Sequence, residues 1–193
     1  MNNFASSPYR VCEISDLDAI SAFRQTAYAS DVDMSYHAHP TLISDRWDEF
    51  SFHLGLLYGN QLVGAVRFAP PISGQLPVHD YVPMPVHDYF TDASARSQIR
   101  ELSRGLIHPK HRNVLGAAVL ARAIYNHILN DPTHILVDVL VNSTKTRTAG
   151  HLLRMGLIDT GIRYWDGRYR STSAVMLGTR STIVSNIKEY LSS

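Results

Sequence analysis

Ile107-His108-Pro109-Lys110-His111-Arg112-Asn113-Val114-Leu115-Gly116-Ala117-Ala118 is the stretch on which the reading of this chain turns. Leading into it, residues 102–107 read as a buried strand; after it, residues 114–129 carry apolar and alanine positions at helical spacing. A strand that passes through a basic turn into a helix outlines an anion site. The first helical N–H groups and the positive end of the helix dipole point outward, and Gly116 and Ala117 permit close approach. Ile107, Arg112, Asn113, Val114, Leu115, Gly116 and Ala117 are the residues expected to bind a phosphate-bearing cofactor.

Outward from that stretch, strands and helices alternate. Residues 8–14 read as a strand, and Ser15 with Asp18 as a capped helix start running to about Tyr28. Residues 53–58 and 62–68 flank Gly59-Asn60 and predict a hairpin. Residues 69–100 hold most of the prolines and an internal echo, Pro77-Val78-His79-Asp80-Tyr81 and Pro85-Val86-His87-Asp88-Tyr89. They read as a long ordered loop with a helical turn near 93–97. A strand over 134–141, a helix over 146–155 stopped by Gly156, and strands over 157–165 and 172–178 complete an α/β chain with a mixed central sheet flanked by helices, one domain over 1–193.

Composition narrows the classes. A net charge of +1 with scattered Lys and Arg gives no concentrated basic face for nucleic acid, and no apolar run approaches the roughly 20 residues of a membrane span. The first residues, Met-Asn-Asn-Phe-Ala-Ser-Ser-Pro, lack the pattern of a signal peptide, so the expected location is cytoplasmic. The single cysteine, Cys12, reads as a buried strand thiol.

Just upstream of the basic turn stands Glu101-Leu102-Ser103-Arg104. This tetrapeptide resembles the Glu-Leu-Ser-Arg signature of acyl-homoserine-lactone synthases and N-acyl amino acid synthases, and the turn after it resembles the cofactor loop of GNAT acyltransferases. Other residues fit in order: Arg24 with Tyr28 is similar to the family's Arg and Phe pair, Asp45 and Asp48 to its two acidic residues, and Arg67 to the arginine closing its first hairpin. Asn142 in Asn142-Ser143-Thr144 resembles the GNAT asparagine on the pantetheine arm. The resemblance implies a GNAT fold and acyl transfer to an amine. It implies no permanently bound cofactor, with an acyl-coenzyme A or acyl carrier protein (phosphopantetheine) thioester as co-substrate. Met34 lies near the place of the tryptophan found in homoserine-lactone synthases, and Leu153 where many acetyltransferases have a leaving-group tyrosine.

Acyl transfer needs a base, because an amine is protonated at neutral pH and must lose a proton to attack. Glu101 is the candidate, with Ser103 beside it as the second catalytic residue. Strand alternation puts Glu101 and Ser103 on one face and Leu102 and Arg104 on the other, so each charge needs an outside partner if buried. Arg24, Tyr28, Asp45, Asp48, Arg67 and Arg104 are the expected substrate-binding or electrostatic residues.

His37, His39, His79 and His87 lack a complete ligand spacing; they read as loop histidines or substrate-mouth residues, and no metal is expected. Tyr81, Tyr89 and Phe90 either wall an acyl channel or anchor the long loop. The leading expectation is N-acylation of an amino acid or similar small amine. The alternatives are homoserine-lactone synthesis from S-adenosylmethionine and, from another class, a catalytically silent module that binds an acyl carrier or a protein partner.

Overall fold

A computed structural model describes residues 7–31, 39–82, 98–131, 135–140 and 146–192. Met34, His37, His87, Tyr89, Phe90, the helical turn expected near 93–97 and Asn142 lie outside the described residues.

Among the described residues seven strands form one sheet in the order β1-β2-β3-β4-β5-β7-β6. They are β1 (Tyr9–Glu13), β2 (Phe52–Tyr58), β3 (Gln61–Ala69), β4 (Ile99–Ile107), β5 (Ile135–Leu140), β6 (Ile158–Asp166) and β7 (Ser171–Thr179). The helices are α1 (Leu17–Ala29), α2 (Pro40–Ile43), α3 (Val114–Asn130), α4 (Thr146–Arg154) and α5 (Arg180–Ser192). Among the described residues only β4 and β5 pair in parallel, so the sheet is mixed as expected. The β2–β3 hairpin turns where Gly59 takes φ +60°, a conformation that costs glycine little. Asp16 caps α1 by accepting from the Ala19 N–H at 3.0 Å; the expected cap, Ser15, stands one residue too early. The short helix α2 and the final helix α5 were not legible. Cys12 lies on the edge strand β1 and is partly exposed rather than buried.

Apolar side chains of α3, α4 and α5 (Leu120, Ile128, Leu152, Ile183) pack on one face of the sheet against Leu56, Val66, Phe68, Leu102 and Met176. On the other face, Phe23 and Ala27 of α1 pack on Ala65. Leu76, Val78 and Val82 cover Ile99, Val175 and Leu177 on that same side.

Two departures from regular pairing shape the sheet's centre. β4 pairs with β5 only from Ile99 through Leu102, while β5 continues along β7 to Leu140 opposite Ala174 and β4 continues along β3 to Ile107 opposite Gly64. The two central strands therefore part beyond Leu102, leaving a wedge between them. The second departure is a bulge: Ser103 faces Arg67 and Leu106 faces Ala65, so Arg104 and Gly105 together oppose one residue, and Arg104 has φ +56°. Among the described residues, no helix is long and apolar enough to cross a membrane.

Candidate active site

The bulge corrects the alternation expected for β4. Arg104 does not face away from Glu101 and Ser103: the extra residue returns it to their side of the sheet, where its Nη2 bonds Asp45 Oδ2 at 2.6 Å and the Thr41 carbonyl. A positive φ at a non-glycine residue is strained by on the order of 1–3 kcal/mol, and such strain persists where the surroundings hold it.

Around Arg104 the charges form one buried network. Arg24 grips Asp48 through two bonds, 2.8 and 3.0 Å, and also donates to the Ile43 carbonyl. Arg67 Nη1 reaches Asp45 at 2.6 Å and Asp48 at 3.0 Å, and its Nε donates to Ser103 Oγ at 3.1 Å. All three arginines are buried, so the partners expected for them exist and are specific. Burial alone would raise the acids, but the guanidiniums outweigh it and hold Asp45 and Asp48 below the usual carboxylate range. Three guanidiniums against two carboxylates leave one positive charge, which an ionised Glu101 balances. His53 packs beneath Asp48, where burial disfavours its charged form.

Glu101 is 3% exposed, on β4 where the wedge opens. Its carboxylate accepts from the Val78 N–H at 2.6 Å. Burial pushes the carboxyl up to about 7, against the opposing pull of Arg67, the Val78 N–H, Ser103 and Arg104. Val78 is held in turn by contacts between Trp47, Arg46 and Asp80. The buried Trp47 donates from Nε1 to Asp80 at 2.9 Å and Arg46 pairs with the same carboxylate, fixing the turn Pro77–Asp80 that presents the N–H. Tyr28 is buried against this cluster; its hydroxyl lies 3.4 Å from that of Tyr169, and burial first, then Tyr169, hold the phenol above its ordinary range. Tyr81 sits under the Arg168 guanidinium at 3.5 Å, an anchoring contact.

The second set of expected residues gathers at the start of α3. Asn113 is the cap: its Oδ1 accepts from the Gly116 N–H at 2.8 Å, and its Nδ2 donates to the Tyr9 hydroxyl. That leaves the N–H groups of Val114 and Leu115 outside the helix's own ladder, with the Ala117 N–H already on the Asn113 carbonyl. Both side chains are exposed, so the helix start is open to solvent. Arg112 folds back, bonding the Ile107 carbonyl at 2.8 Å and Asp31. A Cβ on Gly116 would meet the His111 carbonyl oxygen at 3.1 Å, so a larger residue there presses on the loop's own backbone. His39 caps α2 and His79 accepts from the Leu76 N–H at 2.7 Å, which gives both structural work.

A family model described as an acetyltransferase (GNAT) domain matches residues 23–122, just over half of the chain. No curated protein matches at a significant level of sequence similarity. Among solved structures, the N-acyl amino acid synthase FeeM from uncultured soil microbes superposes with TM-score 0.60 at 14% identity, over 92% of this chain and 95% of that one. An acyl-CoA N-acyltransferase from Pseudomonas aeruginosa gives 0.58 at 12% identity, over 88% and 98%. Ribosomal-protein-alanine N-acetyltransferase from Brucella melitensis gives 0.55 at 15%, over 88% and 99%. At these identities what is shared is the fold.

Proposed function

Because the chain belongs to the GNAT acetyltransferase domain family, we propose that it moves an acyl group from a coenzyme A or acyl carrier protein thioester onto the amine of an amino acid. The observation that carries this reading is Glu101, a carboxyl buried at the opening of the β4–β5 wedge and pushed up to about 7. A group of that pKa is half ionised at neutral pH and has the proton affinity a base needs there.

In this reading the amine nitrogen attacks the thioester carbonyl, the C–N bond forms, the C–S bond breaks and the thiolate leaves. The acceptor's ammonium first gives a proton to Glu101, directly or through an ordered water, and from there to solvent; after attack the nitrogen loses a second proton, which ends on the thiolate. Ser103, between Arg67 and Glu101, steadies the ionised carboxylate. The Val114 and Leu115 N–H groups at the α3 dipole would take the carrier's phosphate. From Glu101 to Ile107 is roughly 20 Å of strand, a span an extended phosphopantetheine arm covers. The buried guanidinium donors beside Glu101 suit an acceptor carrying a carboxylate. Met34 in place of an aromatic favours the amino acid over S-adenosylmethionine. The reaction so read takes place in the cytoplasm.

The test is thiol release by purified protein from a panel of acyl-coenzyme A and acyl carrier protein thioesters. Release is expected with at least one free amino acid. Release with S-adenosylmethionine, with an acyl-homoserine lactone among the products, would replace this reading.

A further inference from the structure

The β6–β7 hairpin carries three buried hydroxyls that nothing in the described structure satisfies. Ser173 stands directly opposite Tyr164 and Ser171 opposite Asp166. Strand alternation places Ser171 and Ser173 on the face that also carries Val175 and Leu177, which with Tyr164 pack against Ile99 and Val78. That is the face of Glu101, two residues beyond Ile99 and bonded to the Val78 N–H. Tyr164 Oη, Ser171 Oγ and Ser173 Oγ are all buried without a hydrogen-bond partner among the described residues, and Ser173 is 0% exposed.

A buried hydroxyl left unpaired is costly, so three on a single hairpin ask for a ligand. Their position suits one. The last β5–β7 pair is Leu140 with Ala174, so Ser173 and Ser171 lie just past the end of β5, on the side where β4 and β5 have parted. Asp166 and Arg168 beside them are spent on each other through two bonds, 2.9 and 2.6 Å. Across the wedge, Arg104 Nη1 is also buried and unpartnered among the described residues. Burial, then the Asp166 charge, hold the Tyr164 phenol above its ordinary range, and the charge of Glu101 adds to this. The phenol is thus a neutral donor.

Guanidinium N–H groups only donate, and hydroxyls donate readily; a set of unpartnered donors of this kind takes an anion. We propose that Tyr164, Ser171 and Ser173, with Arg104 Nη1, form the subsite for the carboxylate of the acyl acceptor, turning its amine toward Glu101. The inference rests on the amino acid reading above and adds the residues that select for it.

The test uses Tyr164→Phe and Ser173→Ala, singly and together, on an acceptor amino acid and on the matching amino acid carboxamide. The ratio of kcat/KM for the acid to that for the carboxamide falls 10-fold or more in the double variant, mainly through KM for the acid. Removing an unpartnered hydroxyl does not lower Tm, which separates this effect from misfolding. An unchanged ratio in all three variants would overturn the subsite while leaving amino acid acylation standing. Wild-type protein that acylates the carboxamide as readily as the acid would do the same. Wild-type protein that acylates no amino acid would overturn both proposals.

Discussion

The two ends of β4 hold two kinds of positive charge. At the Glu101 end, Arg24, Arg67 and Arg104 are buried, each locked to a carboxylate, a carbonyl or a hydroxyl. At the Ile107 end, Arg112 is partly exposed, makes a single ion pair with Asp31, and lies beside an open helix start. The difference follows from what covers each end. Residues 39–50 and 77–80, pinned by Trp47, close over the first, and nothing described closes over Val114. Buried charge can orient a substrate but is costly to disturb; exposed charge can meet a large anionic carrier and is cheap to change.

That contrast breaks most visibly at Asp48. Asp48→Asn strips the shared partner from Arg24 and Arg67 and is expected to cost about 3–5 kcal/mol, read as a lower urea midpoint. The wild-type contribution has a defined direction. Asp48 and Asp45 sit below their unfolded value of 3.8, so their stabilisation is present above that pH and is lost as pH falls through the carboxylate range. A cost under 1 kcal/mol would mean the network is not a structural unit.

Glu101 has the opposite sign. Its carboxyl rises from 4.5 to about 7, so the folded state holds the proton more tightly than the unfolded one. Stability declines as pH rises from about 4.5 to about 7 and is level above. Glu101→Gln, whose amide oxygen can still accept the Val78 N–H, removes the decline and gains up to about 3 kcal/mol at pH 8. A variant less stable than wild type at pH 8 would contradict the burial argument.

At the open end the effects shrink. Gly116→Val pushes on the His111 carbonyl and should raise KM for the thioester roughly 10-fold, about 1.4 kcal/mol, with less effect on the amine. Equal effects on both would indicate general disruption of the loop. Arg112→Gln removes a partly exposed pair and is expected to change stability by roughly 0–1 kcal/mol. A loss above 2 kcal/mol would mean that this end is held as tightly as the other.

Much of this was legible because it was written in local spacing. The Gly59-Asn60 hairpin, the β4-turn-α3 unit and the five charged positions that meet around Asp48 could be read from residue type and order. What escaped depended on register and tertiary contact. The bulge that swings Arg104 to the Glu101 side comes from β3–β4 pairing, and alternation alone gave the wrong face. Trp47 holds Asp80 and so the Val78 N–H, a link that the repeated Pro-Val-His-Asp-Tyr segment does not disclose, and the pairing of Tyr164 with Ser173 lies far along the chain from the signature.

The most direct test of Glu101 as the base is the pH dependence of single-turnover acyl transfer in wild-type protein and in Glu101→Gln. A base acts deprotonated, so the wild-type rate is expected to rise with pH and level off above about 7, following its carboxyl. In the variant that limb disappears and the plateau rate drops roughly 100-fold or more. A variant that keeps both the limb and the rate would remove Glu101 from the chemistry.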